Sequence, residues 1–190
     1  MISRPSKGFS MIEVLVTIVI LLIGLLGLAG LQARALTAQM ESYQRAQALV
    51  LLKDMADRIE TNRANAASYV TTGLATPYLG VDNAAVADCS GVAAGQLRDF
   101  CEWNNALLGL AEVDTSGNPV GAMIGARGCI YQIAPMSAGI PGQYRVAVAW
   151  QGMNITAAPA LDCGQNKYGA NDALRRVVSI PVGIANLVGN

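Results

Sequence analysis

The stretch GFSMIEVLVTIVILLIGLLGLAGL, residues 8–31, decides the architecture of this chain. Its last 18 residues, from Val14 to Leu31, contain a single polar side chain, Thr17. A helix rises about 1.5 Å per residue, so this run can cross the roughly 30 Å hydrocarbon core of a bilayer. A cleaved secretory signal would have an apolar region of only about 7–15 residues. The stretch therefore predicts a membrane-spanning helix at residues 9–31.

The charges before this span predict its orientation. Residues 1–8 contain Arg4 and Lys7 and no acidic residue. Basic residues beside a span tend to stay on the cytoplasmic side of the membrane. We therefore expect the rest of the chain, residues 32–190, to lie outside the cytoplasm, in a compartment where disulfides form.

The composition argues against catalysis and against nucleic-acid binding. Among its 190 residues the chain has no histidine, and its 13 Lys+Arg equal its 13 Asp+Glu. A Ser-His-Asp or Cys-His site is thus impossible, and P-loop, GxGxxG and GxSxG motifs are absent from the sequence. We expect a protein that is not an enzyme and has no cofactor, no metal, no nucleic-acid partner and no small-molecule substrate.

Two groups of side-chain oxygens leave a calcium site as a less favoured alternative. The first group, Asp54, Asp57 and Glu60, is better explained as a solvated helix face beside Lys53, Arg58 and Arg63. The second group lacks EF-hand spacing and comprises Asp162, Asn166, Asn171 and Asp172.

Beyond the span, apolar residues recur every three or four positions, which is typical of one face of an amphipathic helix. No proline occurs from Phe9 to Arg63, so we expect one continuous helix to residue 63. The predicted apolar stripe comprises Leu36, Met40, Tyr43, Ala48, Leu52, Met55 and Ile59.

The C-terminal part of the chain predicts a short helix followed by an antiparallel sheet. Residues 64–96 read as a connection with little regular structure, and the expected short helix runs from Gln96 to Leu108, with Leu97, Phe100, Cys101, Leu107 and Leu108 as its apolar side. Residues 114–119 are a turn signal. Period-two alternation predicts strands at Gly128–Ala134, Gln143–Gln151 and Arg175–Val182. The expected fold class is α+β, with the long helix packed on a small antiparallel sheet.

Four cysteines allow three disulfide connectivities. We favour Cys89–Cys101, which closes a small loop onto the short helix, and Cys129–Cys163, which ties the first strand to the 21-residue loop Gly152–Asp172. A loop of this length without regular structure usually has a function or a tether. The absence of a CxxC pair argues against a redox site.

Glu13 is a carboxylate at the start of an apolar helix. It can act as a favourable charge at the positive end of the helix dipole. It can also require a positive partner, because a charged group within a bilayer is costly. Cleavage of the chain after Gly8 would create such a partner, the α-amino group of Phe9.

Residues 8–14, Gly-Phe-Ser-Met-Ile-Glu-Val, resemble the class III signal of type IV prepilins. The resemblance implies cleavage after Gly8 by a prepilin peptidase, N-methylation of Phe9, and neutralisation of the Phe9 amine by Glu13 of an adjacent subunit. It also implies the pilin fold, with a leader at residues 1–8, a transmembrane and filament-core helix at 9–31, and a periplasmic head at 32–190.

Residues 43–59, 144–151 and 175–178 are similar to the minor pilins called PilV. This resemblance implies a scarce subunit that joins other minor pilins and the major pilin in a priming or tip complex, which starts pilus assembly and supports twitching motility and adhesion. Its location would be the inner membrane, with the N-terminus cytoplasmic, and then the surface pilus. A minor pseudopilin of a type II secretion system is the alternative, since it has the same N-terminal chemistry.

Overall fold

The computed structural model describes residues 8–74, 76–86, 88–110, 114–116, 121, 123–137 and 139–186. Arg4, Lys7 and most of the predicted leader lie outside the described residues, as does part of the predicted turn at 114–119. The chain divides into two compact units, one that ends at Met40 and one that begins at Glu41. The long helix α1, Met11–Thr61, contributes to both units.

The N-terminal unit is the apolar part of α1. Its large apolar side chains from Phe9 to Leu31 are exposed, and its most apolar window of 18 residues has no buried residue. By length and composition this helix is able to cross a membrane. The hydroxyl of Thr17 donates a hydrogen bond to the carbonyl of Val14 (2.8 Å), so the polar side chain within the run has a partner in its own helix.

The C-terminal unit contains a four-stranded antiparallel sheet in the order β1-β2-β3-β4. The strands are β1 (Leu79–Gly80), β2 (Arg127–Ala134), β3 (Gly142–Gln151) and β4 (Arg175–Ile184). The three predicted strands are confirmed, with β4 extended by two residues. β1 was not predicted, because two residues carry no periodic signal.

One face of the sheet is covered by the end of α1 and by the second helix, α2 (Gln96–Leu107). Alternate residues of β3, the predicted face Tyr144, Val146, Val148 and Trp150, are buried there. Leu52, Met55 and Ile59 of α1 and Trp103 of α2 complete this core and are fully buried. The packing of helix on antiparallel sheet is therefore as the alternation predicted.

The opposite face of the sheet is covered by the β3–β4 loop, residues 152–174. Ala147 and Ala149 of β3 are fully buried beneath it, together with Cys163 and Tyr168 of the loop. The small alanine side chains leave room for the loop to lie close to the sheet. A cross-link at Cys163 holds the loop there, which agrees with the tether that the sequence suggested for it.

The apolar stripe predicted on α1 is buried only in its C-terminal part. Leu36, Met40 and Tyr43 are exposed, and the buried face begins at Gln44. The spacing of three and four continues through both sets of residues, so periodicity alone could not locate where the sheet begins to cover the helix.

The apolar side predicted for α2 was also partly wrong, since Leu97 is exposed and Trp103 is the fully buried residue. Residues 64–96 contain more structure than expected, because a 3₁₀ helix spans Arg63–Tyr69 and β1 follows it. Buried Asn104 of α2 accepts a hydrogen bond from the Gly80 N–H (2.8 Å) and thereby positions β1. Such long-range side-chain bonds leave no local signal in the sequence.

Candidate functional site

The residues of the predicted processing signal lie just before the first turn of α1 and within it. The Ser10 carbonyl accepts hydrogen bonds from the N–H groups of Glu13 (3.0 Å) and Val14 (3.3 Å), and the helix begins at Met11, two residues after Phe9. Phe9 is 83% exposed, and a Cβ added at Gly8 would meet no atom within 4 Å. The peptide bond between residues 8 and 9 therefore lies in an open segment that another protein can reach.

Glu13 lies in the first turn of α1, where its negative charge complements the positive end of the helix dipole. Within the described residues, Glu13 forms no ion pair and is not hydrogen-bonded through its side chain to Phe9. It is also the only charged side chain between residues 8 and 33. The carboxylate is thus available to a positive group from outside the chain.

The three glycines Gly24, Gly27 and Gly30 divide the exposed apolar part of α1. A Cβ added at any of them would meet nothing within 4 Å. Glycines spaced by three lie near one face of a helix, and small residues allow another helix to approach closely. The surface is therefore suited to contact with a second helix or with lipid.

Glu41 fixes the start of the C-terminal unit to the β3–β4 loop. Its Oε1 accepts hydrogen bonds from the backbone N–H groups of Met153 (3.1 Å) and Asn154 (3.2 Å) and lies 3.4 Å from the guanidinium of Arg176. Arg176 also donates to the Asn154 carbonyl (2.6 Å). The sequence reasoning missed this contact, since its partners are more than a hundred residues apart.

Arg58 fixes the end of α1 to α2. Its guanidinium forms ion pairs with Asp54 (3.1 Å), Asp99 (3.0 Å) and Glu102 (2.6 Å). Burial works to lower the pKa of Arg58, but the hydrogen bonds to Glu102 and Asp54 and the charge of Asp54 raise it above its ordinary value. The acidic residues predicted as a solvated face are thus only partly solvated, because Asp54 belongs to this network while Asp57 forms an exposed pair with Lys53 (2.5 Å).

Tyr69, at the end of the 3₁₀ helix, joins the same network by donating a hydrogen bond to Asp99. Burial and this hydrogen bond raise the pKa of Tyr69 to about 12. Trp103 gives α2 a further contact with α1, since its indole N–H donates to the Leu51 carbonyl (2.9 Å). Trp103 lies three residues after Phe100 and four before Leu107, so the helical spacing contained the signal that would have identified it.

The structure pairs Cys89 with Cys101 and Cys129 with Cys163, which is the connectivity that the sequence favoured. The first disulfide closes a short loop onto α2. The second joins β2 to the β3–β4 loop. All four sulfurs are therefore part of the framework of the C-terminal unit.

Arg127 organises the face of the sheet beneath the loop. Its guanidinium lies 5.3 Å from the centre of the Tyr78 ring and 5.0 Å from that of Tyr168, which are cation–π distances. It also forms an ion pair with Asp82 (2.9 Å). The hydrogen bonds from Arg127 and then Tyr78 lower the pKa of Asp82 to about 2.

Two of the four loop residues considered as calcium ligands, Asp162 and Asp172, are engaged in protein contacts through their carboxylates. Asp172 forms an ion pair with Arg175 (3.1 Å) and accepts a hydrogen bond from the Asn166 N–H (2.8 Å), and Asp162 accepts one from the Tyr131 hydroxyl (2.5 Å). Burial works to raise the pKa of Asp172, but the backbone hydrogen bonds and Arg175 lower it. The part of the chain that the structure describes contains no group of three or more Cys, Asp or Glu residues able to hold a metal ion.

Comparison with known protein families gives two matches. Residues 3–29 match the family described as the prokaryotic N-terminal methylation motif, and residues 30–103 match the family described as type IV pilin Tt1218. The two matches are contiguous and together run from residue 3 to residue 103. The chain is therefore similar to type IV pilins over residues 30–103. No curated protein and no solved structure matches the chain.

The methylation motif fits the open segment at residues 8 and 9, and the apolar helix fits anchoring in a membrane and in a pilus. Type IV pilins are structural subunits. Residues 30–103 of this chain include the Arg58 network and most of α2, so the family match extends from α1 into the C-terminal unit.

Proposed function

We propose that this chain is a minor pilin, a subunit of a type IV pilus that joins other minor pilins in the complex that primes pilus assembly. The observation that carries the proposal is the apolar part of α1, which is exposed along its length with Glu13 as its one charge. Exposed apolar area costs roughly 25 cal/mol per Å² in water. Such a helix therefore needs lipid before assembly and neighbouring helices afterwards.

The proposed processing divides the chain into a leader at residues 1–8, a transmembrane and filament-core helix at 9–31, and a head at 32–190. A prepilin peptidase cuts after Gly8, and Phe9 is then N-methylated. The pilin resides in the inner membrane with its N-terminus in the cytoplasm and its head in the periplasm, and it is later displayed in the surface pilus.

In the proposed docking step, Glu13 accepts the new positive charge of the Phe9 amine of an adjacent subunit. A charge-assisted hydrogen bond in an apolar setting is stronger than one in water. The pairing would draw each subunit to one axial position, since each helix carries a single carboxylate in this region.

A minor role is supported by the similarity of residues 43–59, 144–151 and 175–178 to the PilV group of minor pilins. The head also has two disulfides, one of which joins the segment between β1 and α2 to α2. A major pilin usually has a single C-terminal disulfide loop. The proposed partners are other minor pilins, the major pilin and the prepilin peptidase, and the proposed outcomes are twitching motility and adhesion.

Mass spectrometry of sheared surface pili and of the remaining envelope from the same cells tests this function. A trace peptide that begins with N-methylated Phe9 in the sheared fraction supports a minor pilin. A processed peptide confined to the envelope would favour a minor pseudopilin of a type II secretion system. An unprocessed N-terminus in both fractions would refute the processing scheme.

A further inference from the structure

A cavity of about 210 Å³ opens beside the Cys129–Cys163 disulfide, at the edge of the β3–β4 loop. Tyr78 and Tyr131 contribute aromatic rings to its lining, and Asp162, Gln165 and Asn166 contribute polar side chains. None of these residues has a role in the proposed assembly through α1. The cavity lies within the C-terminal unit.

The polar wall of the cavity is fixed by hydrogen bonds before any ligand arrives. The Gln165 N–H donates to the Asp162 carbonyl (2.8 Å), and the Tyr131 hydroxyl donates to the Asp162 carboxylate (2.5 Å). Asn166 is held with a φ of +63°, in the left-handed region, by the bond from its N–H to the carboxylate of Asp172. A wall ordered in advance lowers the entropy lost on binding.

The same wall presents hydrogen-bonding groups that the described chain does not use. No described residue hydrogen-bonds to the side-chain amides of Gln165 and Asn166 or to the second carboxylate oxygen of Asp162. Each amide offers two donors and an acceptor, and the carboxylate oxygen is an acceptor. Side chains of 162, 165 and 166 are exposed, so these groups are accessible from solvent.

The size and charge of the cavity restrict its ligand. Sites for drug-sized molecules occupy roughly 300–1,000 Å³, so this cavity suits a smaller group. Its lining includes a carboxylate and no lysine or arginine, which disfavours phosphates and carboxylates. Tyrosine rings and a disulfide can contact the C–H surface of a ligand, while the amides and the carboxylate can hydrogen-bond to its hydroxyl groups. A pyranose ring presents both kinds of surface on a single small molecule.

We propose that this cavity binds one uncharged pyranose ring, as at the end of a glycan. The Asp162 carboxylate and the Gln165 and Asn166 amides bind the sugar hydroxyls, and the tyrosine side of the cavity contacts its C–H face. The site does not depend on the assembly proposal, because it lies in the C-terminal unit.

Saturation-transfer NMR on the full-length chain tests the site, in a detergent without sugar head groups. The probes are the methyl glycopyranosides of glucose, galactose and mannose, with methyl glucuronide as the anionic probe and methylguanidine as the cationic probe. We expect at least one neutral glycoside to bind, with at least about tenfold weaker binding of the glucuronide and of methylguanidine.

Gln165→Ala and the double variant Asp162→Ala/Gln165→Ala should each weaken glycoside binding, the double variant by about tenfold or more, since each loses hydrogen bonds to the sugar. Gln132→Ala, which changes an exposed amide on β2 outside the cavity, should bind as the parent does. Thermal unfolding of each variant checks that the fold persists. Absence of saturation transfer from every neutral glycoside, unchanged binding by the double variant, or preferred binding of methylguanidine would each overturn the proposal. None of these outcomes affects the test by mass spectrometry of pili.

Discussion

Glu13 lies at a position where a neutral residue would insert into a bilayer at lower free energy. If its role is to bind the Phe9 amine of a neighbour, Glu13→Ala removes the acceptor but leaves the cleavage site intact. We expect normal leader removal and about a tenfold lower content of the variant in sheared pili, measured by quantitative mass spectrometry. A charge-assisted hydrogen bond of about 1.5–3 kcal/mol is enough for such an effect.

Glu60→Ala is the matched control for Glu13, since Glu60 is an exposed carboxylate near the other end of α1. It should enter pili at the parental level. Equal incorporation of Glu13→Ala and the parent would contradict the pairing of Glu13 with Phe9.

Asp82 carries the clearest dependence of stability on pH. Its pKa is lowered from 3.8 to about 2 by Arg127 and Tyr78. A lowered pKa in the folded state adds stability above the unfolded value, and this stability is lost as the pH falls from about 4 through 2. Because the Asp82 side chain is 45% exposed, solvent screening limits the effect to about 1 kcal/mol or less.

Asp82→Asn should therefore unfold more easily than the parent at pH 6, with the difference shrinking as the pH approaches 2. Asparagine tolerates the positive φ of 79° at this position, so the backbone is not strained by the change. Urea denaturation at pH 6, 4 and 2 measures the difference. A difference that is constant over this range would show that the ion pair is not its source.

Among the elements, β2 and α2 are in close contact at Gly128, where an added side chain would displace its neighbours. A Cβ added at Gly128 would lie 2.2 Å from the Trp103 ring and 2.8 Å from the Leu107 side chain. Gly128→Ala should lower the free energy of unfolding by about 1–3 kcal/mol, because Trp103 must move out of a packed core.

Gly183→Ala on β4 provides the control for Gly128, since a Cβ there would meet nothing within 4 Å. Alanine has less conformational entropy than glycine in the unfolded chain. The change should therefore leave the free energy of unfolding unchanged or raise it slightly. Chemical denaturation followed by tryptophan fluorescence compares the two variants. Equal stability of the two would contradict the close packing of Trp103 on β2.

The two disulfides differ in the length of chain that they close. Cys129 and Cys163 are 34 residues apart and Cys89 and Cys101 are 12 apart. In the chain-entropy treatment, loss of the longer loop costs about 4 kcal/mol and loss of the shorter about 3 kcal/mol. The variants Cys129→Ala/Cys163→Ala and Cys89→Ala/Cys101→Ala should follow this order in thermal unfolding, and the reverse order would indicate that packing outweighs the loop entropy.

The sequence was most informative where a feature repeats along the chain. Alternation located β3 to within one residue, and the absence of proline together with helical spacing predicted α1 to within two residues of its end at Thr61. It was least informative where a single long-range contact decides the structure. β1 depends on a hydrogen bond to Asn104, and the partial burial of Asp54 depends on Arg58 and its partners in α2.

The candidate functional residues also divide into those that a local sequence pattern predicts and those that only long-range contacts bring together. The spacing of Gly8, Phe9 and Glu13 is local, so the N-terminal methylation motif could be recognised in the sequence. The cavity beside Cys129–Cys163 is formed by segments from three parts of the chain, and no local pattern reports it. Hydropathy therefore predicted the helix that is able to cross a membrane, while the C-terminal surface required the structure.

On the scale of the whole molecule, the C-terminal unit has its own core and disulfides, whereas the apolar part of α1 has no buried residue in the described chain. Folding and assembly should then be separable by mutation. Gly27→Ile places a bulky side chain on the glycine face without a clash inside the chain, and it replaces a poor helix former with a better one. We expect unchanged unfolding of the C-terminal unit and a marked loss of the variant from sheared pili, because close approach of a neighbouring helix is prevented.

Leu26→Ile is the neighbouring control, since it conserves side-chain volume at an exposed position of the same helix. It should enter pili as the parent does, and both variants should lose their leader normally. Quantitative mass spectrometry of pili and envelope measures the distribution of each variant. Parental incorporation of Gly27→Ile would mean that this face contacts lipid or solvent in the assembled state, and the helix contacts would then have to involve the leucine-rich side of α1.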